Sequence, residues 1–188
     1  MTTPTHAATS PLIELRVLQP GAEADIDRVA QGMRRTLVEV EGEAVGIALY
    51  TMDWLRDRVR FHLDPALSTA QVFLAVVPAP GDGAERIVGH TIVRVESNED
   101  GRRFGLFSTT YIDPSARRAG IADRLLERGE AWMREHALPE AATWTSATNA
   151  RLIALYAKRG YAEVEAGPND QTGTAMVRLA KPLAIDCS

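Results

Sequence analysis

The chain has little cysteine, little lysine and no long apolar run. Its 188 residues include one cysteine, Cys187, beside the last residue. A single thiol excludes an internal disulfide framework and suits a reducing compartment. A nucleophilic Cys187 would need the tail to fold back into a site, and tails usually fray. Lysine is confined to Lys158 and Lys181, so nearly all of the 21 basic residues are arginine. Codon bias accounts for that more simply than function does. The formal net charge is −4, which argues against a general nucleic-acid binder with a basic face. No apolar run approaches the ~20 residues of a membrane span. Met1 to Ser10, "MTTPTHAATS", is polar and lacks the apolar core of a secretory signal. The four histidines show no metal-ligand spacing, so no metal is expected. The expectation is a cytoplasmic protein without nucleic-acid or membrane partners.

What is present fits a globular fold. The chain is 45% hydrophobic and 24% charged, enough apolar residue to form a core without staples. Its length suits one domain. A flexible tail over 1–10, a single domain over 11–183 and a short tail over 184–188 are expected.

Periodicity orders the elements. "PLIELRVLQP", Pro11 to Pro20, predicts a first strand. Ile26, Val29, Met33 and Leu37 form a helical stripe between Glu23 and about Val40. "EGE" interrupts, and one further helix is predicted from about Ala44 to His62, with Ile47, Met52, Leu55 and Val59. Gln71 to Pro78 and Arg86 to Ser97 are rich in β-branched residues and predict strands. Asp100-Gly101 predicts a hairpin into Phe104 to Ile112. A helix from near Ala119 to His136, a strand from Ala141 to Thr148 and a short helix from Asn149 to Arg159 follow. Two closing strands flank "GPNDQT". This order predicts an α+β fold: a mixed, mostly antiparallel sheet of about seven strands with about four helices.

The segment "ARRAGIA", Ala116 to Ala122, joins a strand to a helix start. The first N–H groups of a helix lack internal partners and lie at the positive end of its dipole. They can bind phosphate. Gly120 would let a ligand approach the backbone, small Ala119 and Ala122 keep the path open, and Arg117 and Arg118 add charge. A plain helix start with two solvated arginines explains the same residues, and on this segment alone the two readings stand even. A second group lies downstream in "NARLIALYAKRGY". Asn149 falls at a helix N-cap, and Tyr156 lies seven residues on, on the same helical face. A cap and a core tyrosine remain the plainer account of that spacing.

Together these segments resemble the GNAT superfamily, the general-control-type N-acetyltransferases. The phosphate loop of that family, [QR]-x-x-G-x-[GA], is matched by Arg117-Arg118-Ala119-Gly120-Ile121-Ala122. Its V-D-P-x-x-R-G lead-in is similar to "YIDPSARRAG", with Ile112-Asp113-Pro114 in register. Its later motif N-x-x-A-x-x-x-Y-x-[KR]-x-G-[FY] is matched at Asn149, Tyr156, Lys158, Gly160 and Tyr161, with alanine displaced to Ala150 and Ala154. The element order agrees from about Leu12 to Leu183.

The resemblance implies acetyl-CoA as cosubstrate, a primary amine of a small molecule or peptide as acceptor, and direct attack in a ternary complex. It implies that backbone N–H groups of Arg118 to Ala122 hold the pyrophosphate, with Arg117 at the loop's start. It further implies that Tyr111 and Ile112 hydrogen-bond the pantetheine arm as an added strand would, with Asn149 on the same arm. Tyr156 would protonate the departing thiolate. Many relatives carry a glutamate base on the strand before the loop, but Ser108 and Thr109 stand there instead. A hydroxyl is a poor base unless activated. Glu96, acting through water, is the substitute candidate, with His90 beside it; an amine arriving already neutral needs neither. The missing glutamate also leaves room for a non-catalytic acyl-CoA-binding module or sensor. Glu39, Glu41 and Glu43 could attract a cationic acceptor or form a solvated acidic turn. Tyr50, Trp54 and Phe61 are core or pocket wall. Association as a homodimer stays open.

Overall fold

The structure, a computed structural model, describes residues 12–79 and 85–184. Both expected tails, Cys187 and part of the "APGDGAE" loop lie outside those residues. The elements run β1 (Glu14–Val17), α1 (Glu23–Glu41), α2 (Glu43–Ala48), α3 (Met52–Leu63), β2 (Ala70–Pro78), β3 (Glu85–Ser97), β4 (Arg103–Ile112), a 3-10 turn (Pro114–Ala116), α4 (Ile121–Glu135), β5 (Glu140–Ser146), α5 (Ala150–Lys158), β6 (Ala162–Pro168) and β7 (Ala175–Pro182).

The seven strands form one sheet in the order β1-β2-β3-β4-β5-β7-β6. Every neighbouring pair is antiparallel except β4 and β5, which run parallel. This is the expected mixed sheet, with five α-helices rather than about four. The difference lies in the segment read as one helix from Ala44 to His62. It breaks before Met52, where the Thr51 hydroxyl accepts from the Trp54 N–H and caps a new helix.

Alternation along β2 shows how the sheet is covered. Val72, Leu74 and Val76 face a core with Ile26, Val29 and Ala30 of α1 and Leu55 and Val59 of α3. Phe73, Ala75 and Val77 face the opposite core, with Leu125, Leu126 and Met133 of α4 and Tyr156 of α5. Both faces are buried, so the strand reads as a continuous apolar run. α4 lies so close to the sheet that a Cβ on Gly129 would collide with the Phe107 ring. On the other face, a Cβ on Gly32 would meet His90 and Tyr111 ring carbons at 2.7 Å.

Candidate active site

The opening in the sheet comes from one extra residue. Ile92 pairs with Thr109 while Val93 pairs with Phe107, so Ser108 is a β-bulge. The bulge reverses which residues face which side. Beyond it, β4 also loses its partner on the other edge. β4 pairs with β5 only from Gly105 to Phe107, opposite Ala141 to Thr143. The Thr143 hydroxyl donates to the Phe107 carbonyl at 3.0 Å and marks the last tie. Past that point β4 continues to Ile112 and β5 to Ser146 with no ladder between them.

A cavity of about 390 Å3 fills this opening and continues under α1 and α3. Ser108, Thr109 and Thr110 line it from β4, Thr143 to Ser146 from β5, and Asn149 and Tyr156 from α5. Asn149 caps α5, its Oδ1 accepting from the Leu152 N–H at 3.2 Å. Tyr156 is wholly buried, edge-on to Phe107 at 5.9 Å and Tyr161 at 4.8 Å between ring centroids. Burial pushes its phenol up, and the Thr110 and Thr143 hydroxyls act in the opposite direction. At neutral pH it therefore carries its proton.

The loop after β4 is a second construction, made of backbone. Asp113 Oδ1 accepts from the Ser115 N–H at 3.0 Å and its hydroxyl at 2.7 Å, holding the 3-10 turn. Its Oδ2 faces Arg28 of α1 at 3.2 Å and Arg35 at 3.7 Å. The Ser115 hydrogen bond, ahead of the two arginine charges, holds this carboxyl below its ordinary range. Arg117 turns away from the loop, donating to the Ile112 carbonyl at 3.2 Å and pairing with Glu39 at 2.8 Å. Arg118 has φ +68° and Gly120 φ +72°, both left-handed. For a non-glycine residue that conformation costs ~1–2 kcal/mol, and such outliers concentrate where a backbone is shaped for a ligand. Among the described residues, the N–H groups of Arg118, Ala119 and Gly120 have no protein acceptor. The first three N–H groups of α4 follow, since its first backbone bond runs from Arg124 to Gly120. Successive unpaired donors in this conformation form an anion-binding concavity. A Cβ at Gly120 would meet nothing within 4 Å, so the space beside it is open.

Two sequence candidates, Glu96 and His90, lie off the cavity, and the side chain of a third, Tyr111, whose expected role is a backbone one, is engaged elsewhere. Tyr111 points under α1, where its hydroxyl accepts from Arg35 at 3.1 Å and its ring lies 5.8 Å from His90. Only its backbone, with that of Ile112, remains for a ligand on the open edge. Glu96 does not line the cavity; its carboxylate pairs with Arg94 at 2.5 Å. β3 carries it past the bulge, opposite Phe104. His90 is buried beneath α1, also off the cavity, and burial, then the Arg28 charge, pushes it down to about 3. The lining contains one carboxylate, Glu41, whose Oε2 accepts from the Thr174 hydroxyl at 2.5 Å. Tyr50 and Trp54 line it beside Glu41, whereas Phe61 does not.

One buried group escaped the sequence reading. Glu130 on α4 is 3% exposed. Its carboxylate accepts from the Tyr161 hydroxyl at 3.1 Å and meets Arg159 at 3.2 Å and Lys181 at 2.9 Å. Burial pushes this carboxyl up; the hydrogen bonds from Lys181 and Arg159, with their charges, bring it below its ordinary range. The available signal was a glutamate on the apolar stripe of α4, one turn from Leu126 and from Met133.

A family model described as "Acetyltransferase (GNAT) family" matches residues 49–161, more than half of the chain. The chain belongs to the GNAT acetyltransferase family. Solved structures with this fold cover nearly the whole GNAT domain. The PaiA N-acetyltransferase from Thermoplasma acidophilum, in complex with coenzyme A, is 16% identical with TM-score 0.65, covering 92% of this chain and 99% of that one. A chain of the NatC complex bound to Gag peptide and CoA is 15% identical with TM-score 0.67, over 92% and 99%. The ribosomal-protein-S18-alanine N-acetyltransferase from Escherichia coli is 15% identical with TM-score 0.62, over 94% and 99%. At these identities the likeness shows the fold. No curated protein sequence matches the chain.

No group of three or more His, Cys, Asp or Glu side chains among the described residues is placed to hold a metal ion. No described helix is long and apolar enough to cross a membrane.

Proposed function

We propose that this GNAT protein transfers an acetyl group from acetyl-CoA to a primary amine of a small molecule or peptide, by direct attack in a ternary complex. The observation carrying this reading is the run of unpaired N–H groups from Arg118 into α4, which lies at the end of the same strand that opens onto Tyr156 and Asn149. The run fits a pyrophosphate in charge and in donor number. The free edge of β4 up to Ile112 fits an extended arm.

On this reading the amine nitrogen attacks the thioester carbonyl, and the C–S bond breaks as the amide forms. Tyr156 gives its proton to the thiolate sulfur and regains one from solvent or from the amine. Glu41 takes the place assigned to Glu96: it draws the ammonium group into the cavity and offers an acceptor for its proton. Titration calorimetry with CoA and thiol release across an amine panel test this function. Absence of CoA binding would defeat it outright. Ser108 and Thr109, standing where many relatives hold a glutamate, favour the alternative of a non-catalytic acyl-CoA-binding module. CoA binding without thiol release from any amine would select that alternative.

A further inference from the structure

The far end of the cavity, beneath α3, is lined by two guanidinium groups and one imidazole. Arg58 and His62 project from α3, and Arg94 from β3. Arg58 is half-buried, yet among the described residues it makes no hydrogen bond and has no carboxylate within ion-pair distance. Its guanidinium lies over the Phe61 ring, 4.9 Å from the centroid. Arg94 has one partner, Glu96, through Nη2, and its Nε is buried with no hydrogen bond. His62 is 2% exposed, and its Nδ1 is also buried without a partner. Burial first, then the charges of Arg58 and Arg94, push His62 down to about 3, so it remains neutral.

The charges at this end do not cancel. One carboxylate, Glu96, stands against two guanidinium groups; it pairs with Arg94 alone and lies outside the cavity. Burying a charge is costly unless a counter-charge and hydrogen bonds accompany it. The natural complement is a planar anion, because a guanidinium offers its donors in a fork that fits both oxygens of a carboxylate. Between this end and Glu41 the wall is apolar and aromatic, with Leu55, Ile92, Tyr50 and Trp54. The cavity is thus negative at Glu41, apolar along its middle and positive at Arg58 and Arg94.

We infer that the acceptor is an amine that also bears a carboxylate, held through that carboxylate by Arg58 and Arg94. Amino acids and short peptides with an acidic group share this chemistry. The inference rests on the proposed transferase reading, and its test separates the two. The position of Arg58, on the opposite side of the opened sheet from α4, assigns it to the acceptor rather than to a CoA phosphate.

The experiment titrates matched pairs into the CoA-saturated full chain by calorimetry. Alanine, phenylalanine and glutamate are each compared with the corresponding amide in which every carboxylate is neutral. Ala-Ala and Asp-Ala dipeptides form a second arm that distinguishes free amino acids from peptides. The carboxylate members should bind at least about tenfold more tightly than the amides. Arg58→Met, which keeps the stem and removes the charge, should abolish that preference while CoA affinity stays within twofold. Arg58→Lys should restore part of the preference, because the charge returns without the fork. Equal binding of acids and amides to the wild type overturns the inference. So does weakened CoA binding in Arg58→Met, which would move the arginine to the donor site. If CoA fails to bind, the transferase reading falls. The same pairs titrated into CoA-free protein then read the arginines directly, and equal affinity there also overturns the inference.

Discussion

The two sides of the cleft are made of different materials. On the α4 side the groups left without a partner are backbone amides, presented by left-handed Arg118 and Gly120 and by the first turn of α4. Arg118 presents its main-chain N–H there, whereas the Arg117 N–H donates to the Pro114 carbonyl and its side chain is occupied with Glu39. On the α3 side the groups are side chains: Glu41, Tyr50, Trp54, Arg58 and Arg94. A backbone site needs only a conformation, so a few glycine and small-residue positions encode it. A side-chain site encodes its ligand residue by residue.

The sharpest way to break this comparison is Gly120→Glu. Space at the Cβ is open, so the folded protein should persist, but a carboxylate now faces the anion site. CoA affinity should fall about 10³-fold, roughly 4 kcal/mol, read by calorimetry. Gly120→Ala isolates backbone strain and should cost only ~1 kcal/mol of stability. Equal effects of the two substitutions on CoA affinity would deny that a ligand's charge sits there.

Next in size is Glu130→Gln. It leaves the half-buried Lys181 without its carboxylate and Arg159 with only the more distant Asp123 at 3.5 Å, and stability should fall by ~3 kcal/mol in denaturant titration. The pH dependence has a definite sign. The folded carboxyl lies below its unfolded value of 4.5, so its contribution is complete above about pH 4.5. It is lost as the pH falls through the folded value. The variant should lose that part of the acid slope.

Tyr156→Phe probes the junction of the two sides. Turnover should drop by about 10²-fold with CoA affinity unchanged, and turnover within twofold of wild type removes the acid role. Glu41→Gln acts on the α3 side alone. The amine KM should rise about tenfold, ~1.4 kcal/mol, with CoA affinity intact, and an unchanged KM would return Glu41 to a structural part.

The last effect, which belongs to neither ligand site and grows as the pH falls, is a pH slope shared by His62 and His90. Both are pushed from 6.5 down to about 3, chiefly by burial. Below about pH 6.5 the unfolded chain takes up protons that the folded chain refuses. Stability should therefore decline by up to ~1.4 kcal/mol per pH unit for each histidine, down to about pH 3. Denaturant titrations at pH 7.5, 6 and 5 measure it, and a flat profile would show that neither ring is held neutral.

The difference between the two sides also explains what the sequence made legible. The phosphate loop and the Asn149–Tyr156 pair are local patterns, each contained in a dozen residues, and their spacing survives translation into structure. The bulge at Ser108 is a property of register between β3 and β4, which spacing along one strand does not reveal. Arg58 and Arg94 lie 36 residues apart and come to one cavity only through packing of α3 on the sheet. Glu96 was attractive because alternation placed it on the correct face; the face was right, but position along β3 put it beyond the cavity. The break at Thr51 is hidden because the apolar stripe from Ile47 to Val59 runs through it at helical spacing.

Glu130 gives the molecule something no motif describes. It ties α4, the end of α5 and β7 at a single carboxylate. From that rivet, α4 runs about ten residues back to Gly120, ~15 Å of helix, while Tyr156 sits less than one turn from Arg159. Two arms leave one fixed point, one ending at the unpaired N–H groups around Gly120 and the other at the Tyr156 phenol. Their separation behaves as a built-in gauge. On the proposed reading, a donor whose phosphates and reacting sulfur are spaced otherwise would not satisfy both ends at once, and the fold would select its donor by length before any chemistry begins.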